Sequence, residues 1–183
     1  MLLETPRLLL RPFRTGDWAQ VHAYARDPET VRLLDWGPCS QEECRERVAT
    51  AVALAGRPES GVHPMAAIFR ATGALVGQAE LAVDPQDTLT AALEVVLHRL
   101  AWGQGLGTEA TRAIVDHGFR SLGIRRILAC CRTENVAFYR VLLKAGLRLE
   151  EYQQNRRNAR GEIADAFICS ITREEWLQHL HAS

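Results

Sequence analysis

The sequence predicts a mixed α/β fold: an open mixed sheet with helices on both faces. Three observations predict it. The first half carries short alternating apolar runs separated by turn residues, the signature of antiparallel strands. The second half alternates strand-like and helix-like periods in the order β-α-β-α-β. Finally, 183 residues with 47% hydrophobic content suit one domain, 1–183, with a core large enough to need neither disulfide nor metal staples.

Each element has a local reason. Leu8 to Arg11 reads as a first strand, and Thr15-Gly16-Asp17 caps a helix carrying Trp18, Val21 and Ala25 at three-to-four spacing. Asp27-Pro28 ends it. Ser40-Gln41-Glu42-Glu43 is a capping box, and Cys44, Val48, Ala51, Val52 and Ala55 mark one face of the helix it opens, which Gly56 stops. Residues 57–64 are loop-like, rich in Pro, Gly, Ser and His. Met65 to Phe69 and Leu75 to Val83 are antiparallel strands joined at Ala71-Thr72-Gly73. Leu93 to Leu97 is the next strand, followed by a glycine-rich turn and a helix from about Thr108 to Leu122 that Gly123 closes. Ile127 to Cys131 is a strand; Asn135 to Ala145 is a helix ending at Gly146, with Leu147 placed for the contact common after such a cap. A basic loop with Arg156, Arg157 and Arg160 precedes a last strand, Glu162 to Ile171, and a short terminal helix runs from Arg173 to Leu180.

Composition excludes several functions. Lys plus Arg and Asp plus Glu both number 22, so no global field draws the chain to nucleic acid or to an anionic membrane. No apolar run approaches the length of a membrane span, and no signal peptide is visible. The five cysteines lack a C-x-x-C pair, which points to reduced thiols and a cytoplasmic protein. The vicinal Cys130-Cys131 sits in an apolar strand and reads as buried small hydrophobes rather than a nucleophile, and no metal-ligating set is present.

The chemistry concentrates in Trp102-Gly103-Gln104-Gly105-Leu106-Gly107-Thr108, where three alternating glycines open a helix directly after a strand. Glycine lets the main chain approach a ligand closely, and the first N–H groups of a helix lack internal partners and sit at its positive end. Phosphate is the natural guest. Gly105-x-Gly107-x-x-Ala110 also satisfies a dinucleotide fingerprint, but it lies mid-chain and no acidic residue ends the next strand near Cys131 to receive a ribose hydroxyl.

Two stretches, Leu3-Glu4-Thr5-Pro6-Arg7-Leu8-Leu9-Leu10-Arg11-Pro12-Phe13 with Asp17, and the run from Trp102 to Phe119 continued by Glu134 to Leu147, resemble the GNAT superfamily of acyl-coenzyme A N-acyltransferases, in its ribosomal-protein-alanine N-acetyltransferase branch. The resemblance spans most of the chain. It implies an α+β fold with a mostly antiparallel sheet of about seven strands, splayed at the coenzyme site. It implies acetyl-CoA as cosubstrate, its pyrophosphate on backbone N–H groups between Gln104 and Thr108. The pantetheine arm would pair with Val95, Val96 and Leu97 as a pseudo-strand, oriented by Asn135. Residues 35–40, with Trp18 and Trp36, lie where relatives shape the acceptor site.

The implied reaction is direct acetyl transfer to a primary amine, a protein N-terminus or a small molecule, with a noncatalytic acyl-CoA sensing domain as the alternative. A homodimer is a fair expectation for a cytosolic enzyme of this size. Phe138 and Leu142 occupy the two positions where relatives carry a Ser or Tyr acid, which leaves Tyr139 as the nearest phenol to protonate the departing thiolate, or a core aromatic. Glu94 is the first candidate base and Asp165 the second, each with a solvent-facing strand position as its other reading. The demand on a base depends on the acceptor: at pH 7 a lysine amine is neutral in fewer than about one molecule in a thousand, an α-amine in about one in six.

Overall fold

The structure, a computed structural model, describes residues 2–158 and 161–181. Eight strands form one sheet: β1 (Leu3–Glu4), β2 (Leu8–Pro12), β3 (Val62–Phe69), β4 (Ala74–Val83), β5 (Thr90–Leu97), β6 (Arg126–Arg132), β7 (Arg148–Arg157) and β8 (Ile163–Thr172). Their spatial order is β1-β2-β3-β4-β5-β6-β8-β7, and every neighbouring pair is antiparallel except β5 with β6. The helices are α1 (Trp18–Ala25), α2 (Pro28–Val31), α3 (Gln41–Ala55), α4 (Leu106–Ser121), α5 (Val136–Lys144) and α6 (Arg173–His181).

The helices divide between the two faces as the binary pattern requires. One core gathers Leu81, Leu93, Ile114, Phe119, Ile127, Leu142 and Trp176, joining α4, α5 and α6 to the sheet. The other gathers Val21, Tyr24, Cys44, Val48, Ala66 and Val96 beneath α1 and α3. Fully burying a Leu, Ile or Phe contributes about 1.5–3 kcal/mol; α4 supplies several such anchors, among them Leu106, Ile114 and Phe119, and α5 supplies Leu142. Ser40 caps α3 through the expected reciprocal box, its Oγ accepting from the Glu43 amide and Glu43 Oε2 accepting from the Ser40 amide.

The sequence reading departs from this at several places: the sheet has eight strands rather than about seven, β3 takes in residues 62–64 that read as loop, and a short helix, α2, starts at Pro28 where the preceding helix was expected to end. The stretch read as a basic loop is strand β7, which carries Arg156 and Arg157; it pairs with β8 through two register shifts, and its exposed residues give no core-facing alternation to read. Arg160 lies outside the described residues. The central helix begins at Leu106 rather than about Thr108, with Gly105 as its left-handed N-cap. β4 is bulged: Leu75 pairs with Ile68 but Gly77 with Ala67, so Val76 is the extra residue. The bulge puts Val76 in the same core as Ala79 and Leu81, while Leu75 lies in the other. A Cβ on Gly77 would stand 2.1 Å from the Val96 carbonyl oxygen, so only glycine fits there.

The N-terminal motif has a structural role. Arg11 and Asp17 form a bidentate ion pair at 2.7 and 2.9 Å, and the Arg14 amide donates to the same carboxylate at 2.8 Å. Burial pushes the Asp17 carboxyl up, but Arg11 and the Arg14 amide outweigh it and hold it below the usual range.

Candidate active site

The glycine turn has the geometry its composition suggests. Gly103 and Gly105 take φ of 72° and 78°, a region that costs an L-residue about 1–2 kcal/mol. The first helical bond runs from the Glu109 amide to the Gly105 carbonyl. The N–H groups of residues 103–108 find no acceptor among the described residues, and they lie at the positive end of a 16-residue helix.

Three contacts shape this turn from outside. Trp102 donates its indole N–H to the Leu97 carbonyl at 2.7 Å, and Gln104 folds back to donate to the Leu100 carbonyl at 2.9 Å. Arg7, from the turn between β1 and β2, donates to the Gln104 carbonyl at 2.7 Å. Its guanidinium is held by Glu109, which also accepts from the Arg7 amide at 2.8 Å and from the Thr5 hydroxyl at 2.5 Å. Burial pushes the Glu109 carboxyl up, yet Thr5 and Arg7 hold it below the usual range. The quoted motif Thr5-Pro6-Arg7 therefore grips the loop. Sequence reasoning missed this because Arg7 and Gln104 are 97 residues apart.

Next to the turn, the sheet opens. β5 and β6 pair only from Thr90↔Arg126 to Ala92↔Leu128, after which β5 follows β4 to Leu97 and β6 follows β8 to Arg132. The Arg125 amide donates to the Leu89 carbonyl, and the His98 amide to Val76 of β4. Alternation along β5 thus turns the backbone groups of Leu93, Val95 and Leu97 to the gap, and those of Glu94 and Val96 to β4.

The gap is part of a cleft of about 780 Å³. Of the residues named from sequence, Glu94, Val95, Val96, Leu97, Trp102, Gly103, Gly105, Gly107, Thr108 and Asn135 border it. Leu106 is instead buried in the core. Asn135 caps α5, its Oδ1 accepting from the Phe138 amide at 3.1 Å. Phe138 faces the cleft where relatives were expected to carry an acid.

The other two catalytic candidates do not join these residues. Tyr139 turns to the core and packs on Phe167, ring centroids 4.7 Å apart. Asp165 lies between Ala164 and Ala166, which border the cleft, so strand alternation points it away. Its carboxylate accepts from the Tyr152 hydroxyl at 2.5 Å and the Asn155 amide at 2.9 Å, a pairing that ties the bulged β7 to β8.

Glu94 accepts from the Trp36 indole at 3.1 Å, and the Arg47 guanidinium lies 4.0 Å from the centroid of that ring. Sequence reasoning missed Glu80, which also borders the cleft. The one signal for it, its place in an apolar strand, says nothing about which strand lies beside it. Of the vicinal cysteines, Cys131 is buried and its thiol pushed up to about 12 by burial. Cys130 borders the cleft, and burial raises its thiol despite Arg156, whose Nη1 is 2.6 Å from the sulfur. No group of three or more His, Cys, Asp or Glu able to hold a metal ion occurs among the described residues, and no helix among them is long and apolar enough to cross a membrane.

Known proteins with this sequence pattern and this fold are numerous. The acetyltransferase (GNAT) domain matches residues 7–148. An uncharacterised N-acetyltransferase of Bacillus subtilis (strain 168), YnaD, is 27% identical over 176 residues, covering 96% of this chain and 99% of that protein. A GNAT-family acetyltransferase from Bacillus anthracis superposes with a TM-score of 0.84 at 26% identity, covering 95% of this chain and 99% of that one. RimL, a ribosomal L7/L12 α-N-protein acetyltransferase solved with coenzyme A, shares the fold with a TM-score of 0.82 at 21% identity, covering 94% and 98%.

Proposed function

Because the chain belongs to the acetyltransferase (GNAT) family, we propose that this acyl-CoA-dependent acetyltransferase moves the acetyl group of acetyl-CoA directly onto a primary amine bound in the same cleft. The observation that carries this reading is the set of unsatisfied N–H groups at residues 103–108 beside an opened sheet. Unpaired N–H groups at a helix start suit a diphosphate, and a strand edge left without a partner suits the two amides of a pantetheine arm.

In this reading the diphosphate lies on the turn and the arm runs along Leu93, Val95 and Leu97. Running back from the turn along β5, the arm carries the thioester, its end distal to the diphosphate, past Leu97 to the backbone N–H of Val95. A backbone donor there stabilises the oxyanion that forms on attack. The Leu97 carbonyl is already satisfied by Trp102, which leaves the strand edge rigid at that point. The acceptor is a primary amine, either a protein α-amine, as the name of RimL suggests for that neighbour, or a small-molecule amine.

Two measurements test the proposal. Calorimetric titration with coenzyme A is expected to show one site per chain. Incubation with acetyl-CoA and a mixed panel of peptides with free N-termini, polyamines and amino acids is expected to yield a product heavier by one acetyl group. Coenzyme binding without any acetylated product would refute the transfer step, and absence of binding would refute the assignment of the turn.

A further inference from the structure

Glu80 of β4 and Glu94 of β5 are direct partners in the antiparallel ladder, so their side chains leave the sheet on the same face, the one beneath α1 and α3. Like charges placed opposite each other destabilise a sheet. Nothing in the surroundings cancels the cost by an ion pair: neither carboxylate forms one among the described residues. The two are nonetheless unequal. Glu94 is engaged by the Trp36 indole at 3.1 Å. Glu80 has no hydrogen-bond partner among the described residues, and its neighbour on the other side of β4 is Pro64.

Their positions differ too. Beneath α3 lies a second cavity of about 660 Å³, which Glu43, Glu46 and Arg47 also border. Among the described residues, Trp36 and Glu80 are the two that border both this cavity and the coenzyme cleft. A group at that junction faces the cleft where amine and thioester would meet and, on its other side, a cavity leading away from it.

Resting on the acetyl-transfer reading above, we propose that Glu80 is the catalytic proton acceptor for the amine at the junction of the two cavities, with Glu94 a positioning residue whose charge tunes it across the ladder. The acceptor's ammonium gives one proton to the Glu80 carboxylate. The freed lone pair forms the C–N bond to the thioester carbonyl carbon, the C–S bond breaks, and its electron pair leaves on sulfur. A second proton from the same nitrogen passes to that thiolate, and the proton on Glu80 returns to solvent through the second cavity. Ammonium and thioester thus give amide, thiol and one proton.

The electrostatics agree with the geometry. Burial and then the Glu94 charge push the Glu80 carboxyl above its ordinary range, against a weaker pull from Arg47. That direction brings a carboxylate closer to the operating pH, where a general base works best. The charged and titratable groups around it are Glu94 of β5, Arg47, Glu43 and Glu46 of α3, Asp35 at the cleft wall, and Tyr24 of α1, which donates to Gln78 two residues away.

The test compares wild type with Glu80→Gln, Glu80→Asp and Glu94→Gln, using acetyl-CoA with two probe acceptors, an alanyl tripeptide and spermidine, from pH 5 to 9. Glu80→Gln is expected to lower kcat about 100-fold or more and to abolish the acid limb of the pH profile, with coenzyme A affinity held within about twofold. Glu80→Asp should restore the limb in part. Glu94→Gln should lose far less and shift the limb to lower pH, because removing a like charge eases ionisation of Glu80. A Glu80→Gln enzyme that keeps the limb and kcat within about threefold overturns the proposal, as does loss of the limb in Glu94→Gln alone. Should wild type acetylate neither probe, the transfer reading fails on those substrates. Glu80 is then judged by carbon-13 titration of its side-chain carboxyl, assigned by its absence in Glu80→Gln. A midpoint at or below the ordinary glutamate value overturns the proposal, and a raised midpoint upholds it.

Discussion

Replacing Arg7 by Ala should weaken coenzyme A binding at a modest cost to the fold. The guanidinium makes two kinds of contact: an ion pair with Glu109 at 2.7 Å and a hydrogen bond to the Gln104 carbonyl at 2.7 Å. Glu109 does not depend on it, because the Thr5 hydroxyl and the residue 7 amide still bind that carboxylate in the variant. The Arg7 side chain is 46% exposed, and a pair so exposed contributes about 0.2–1 kcal/mol. With about 1.5 kcal/mol for the bond to Gln104 the loss is about 2 kcal/mol, and at about 2–4 °C per kcal/mol for a chain of this size Tm should fall by about 4–8 °C.

The bond to Gln104 matters differently. It pulls one carbonyl of the turn outward and so keeps the neighbouring N–H groups facing in. A hydrogen bond from a charged donor contributes about 1.5–3 kcal/mol, and exposure favours the lower end. About 1.4 kcal/mol is tenfold in affinity, so Kd for coenzyme A should rise about tenfold. Calorimetry and thermal unfolding on the same samples check both numbers. An unchanged Kd would refute the idea that Arg7 shapes the turn, and a Tm loss above about 8 °C would show that Arg7 supports the fold instead.

Three further outcomes are expected. Asp17→Asn strands the Arg11 guanidinium in a half-buried site, and breaking such a pair costs about 3–5 kcal/mol, a Tm fall of order 10 °C by the conversion above that differential scanning calorimetry would register. Tyr139→Phe keeps the ring packed on Phe167 and removes only a hydroxyl of a residue that does not border the cleft, so kcat should stay within about twofold; a loss of 100-fold would restore Tyr139 as an acid. His117 is buried with neither ring nitrogen hydrogen-bonded among the described residues, and burial, helped by His63, lowers its pKa from the ordinary 6.5. The folded state then binds fewer protons than the unfolded one, so stability declines as pH falls below about 6.5. Since His63 and the carboxylates are common to both proteins, the difference between wild type and His117→Leu isolates this contribution, and equal slopes between pH 5 and 7 would refute it.

Much of the site was legible because its signals are local. Glycines at 103, 105 and 107 dictate a turn with inward N–H groups whatever surrounds them, and Ser40 and Glu43 close their own capping box. β7 was not legible, since its outward face carries charges without alternation and its pairing is interrupted twice. Asp165 and Tyr139 could not be assigned by type alone. A carboxylate in a strand serves as a base on one face and as a structural acceptor on the other, and one residue of parity decides between them.

By itself the sequence determined the starts of α3 and α5 and the glycine turn before α4, because each depends on groups within a few residues of one another, and two longer stretches carried the family resemblance. Tertiary structure alone decided that Arg7 reaches Gln104, that β5 and β6 part after three pairs, and that Glu80 faces Glu94. Those outcomes follow from register between distant segments. The bulge at Val76-Gly77, where the missing Cβ of Gly77 admits the Val96 carbonyl, sets which face of β4 each later side chain takes, and no pattern within β4 records where β5 will lie.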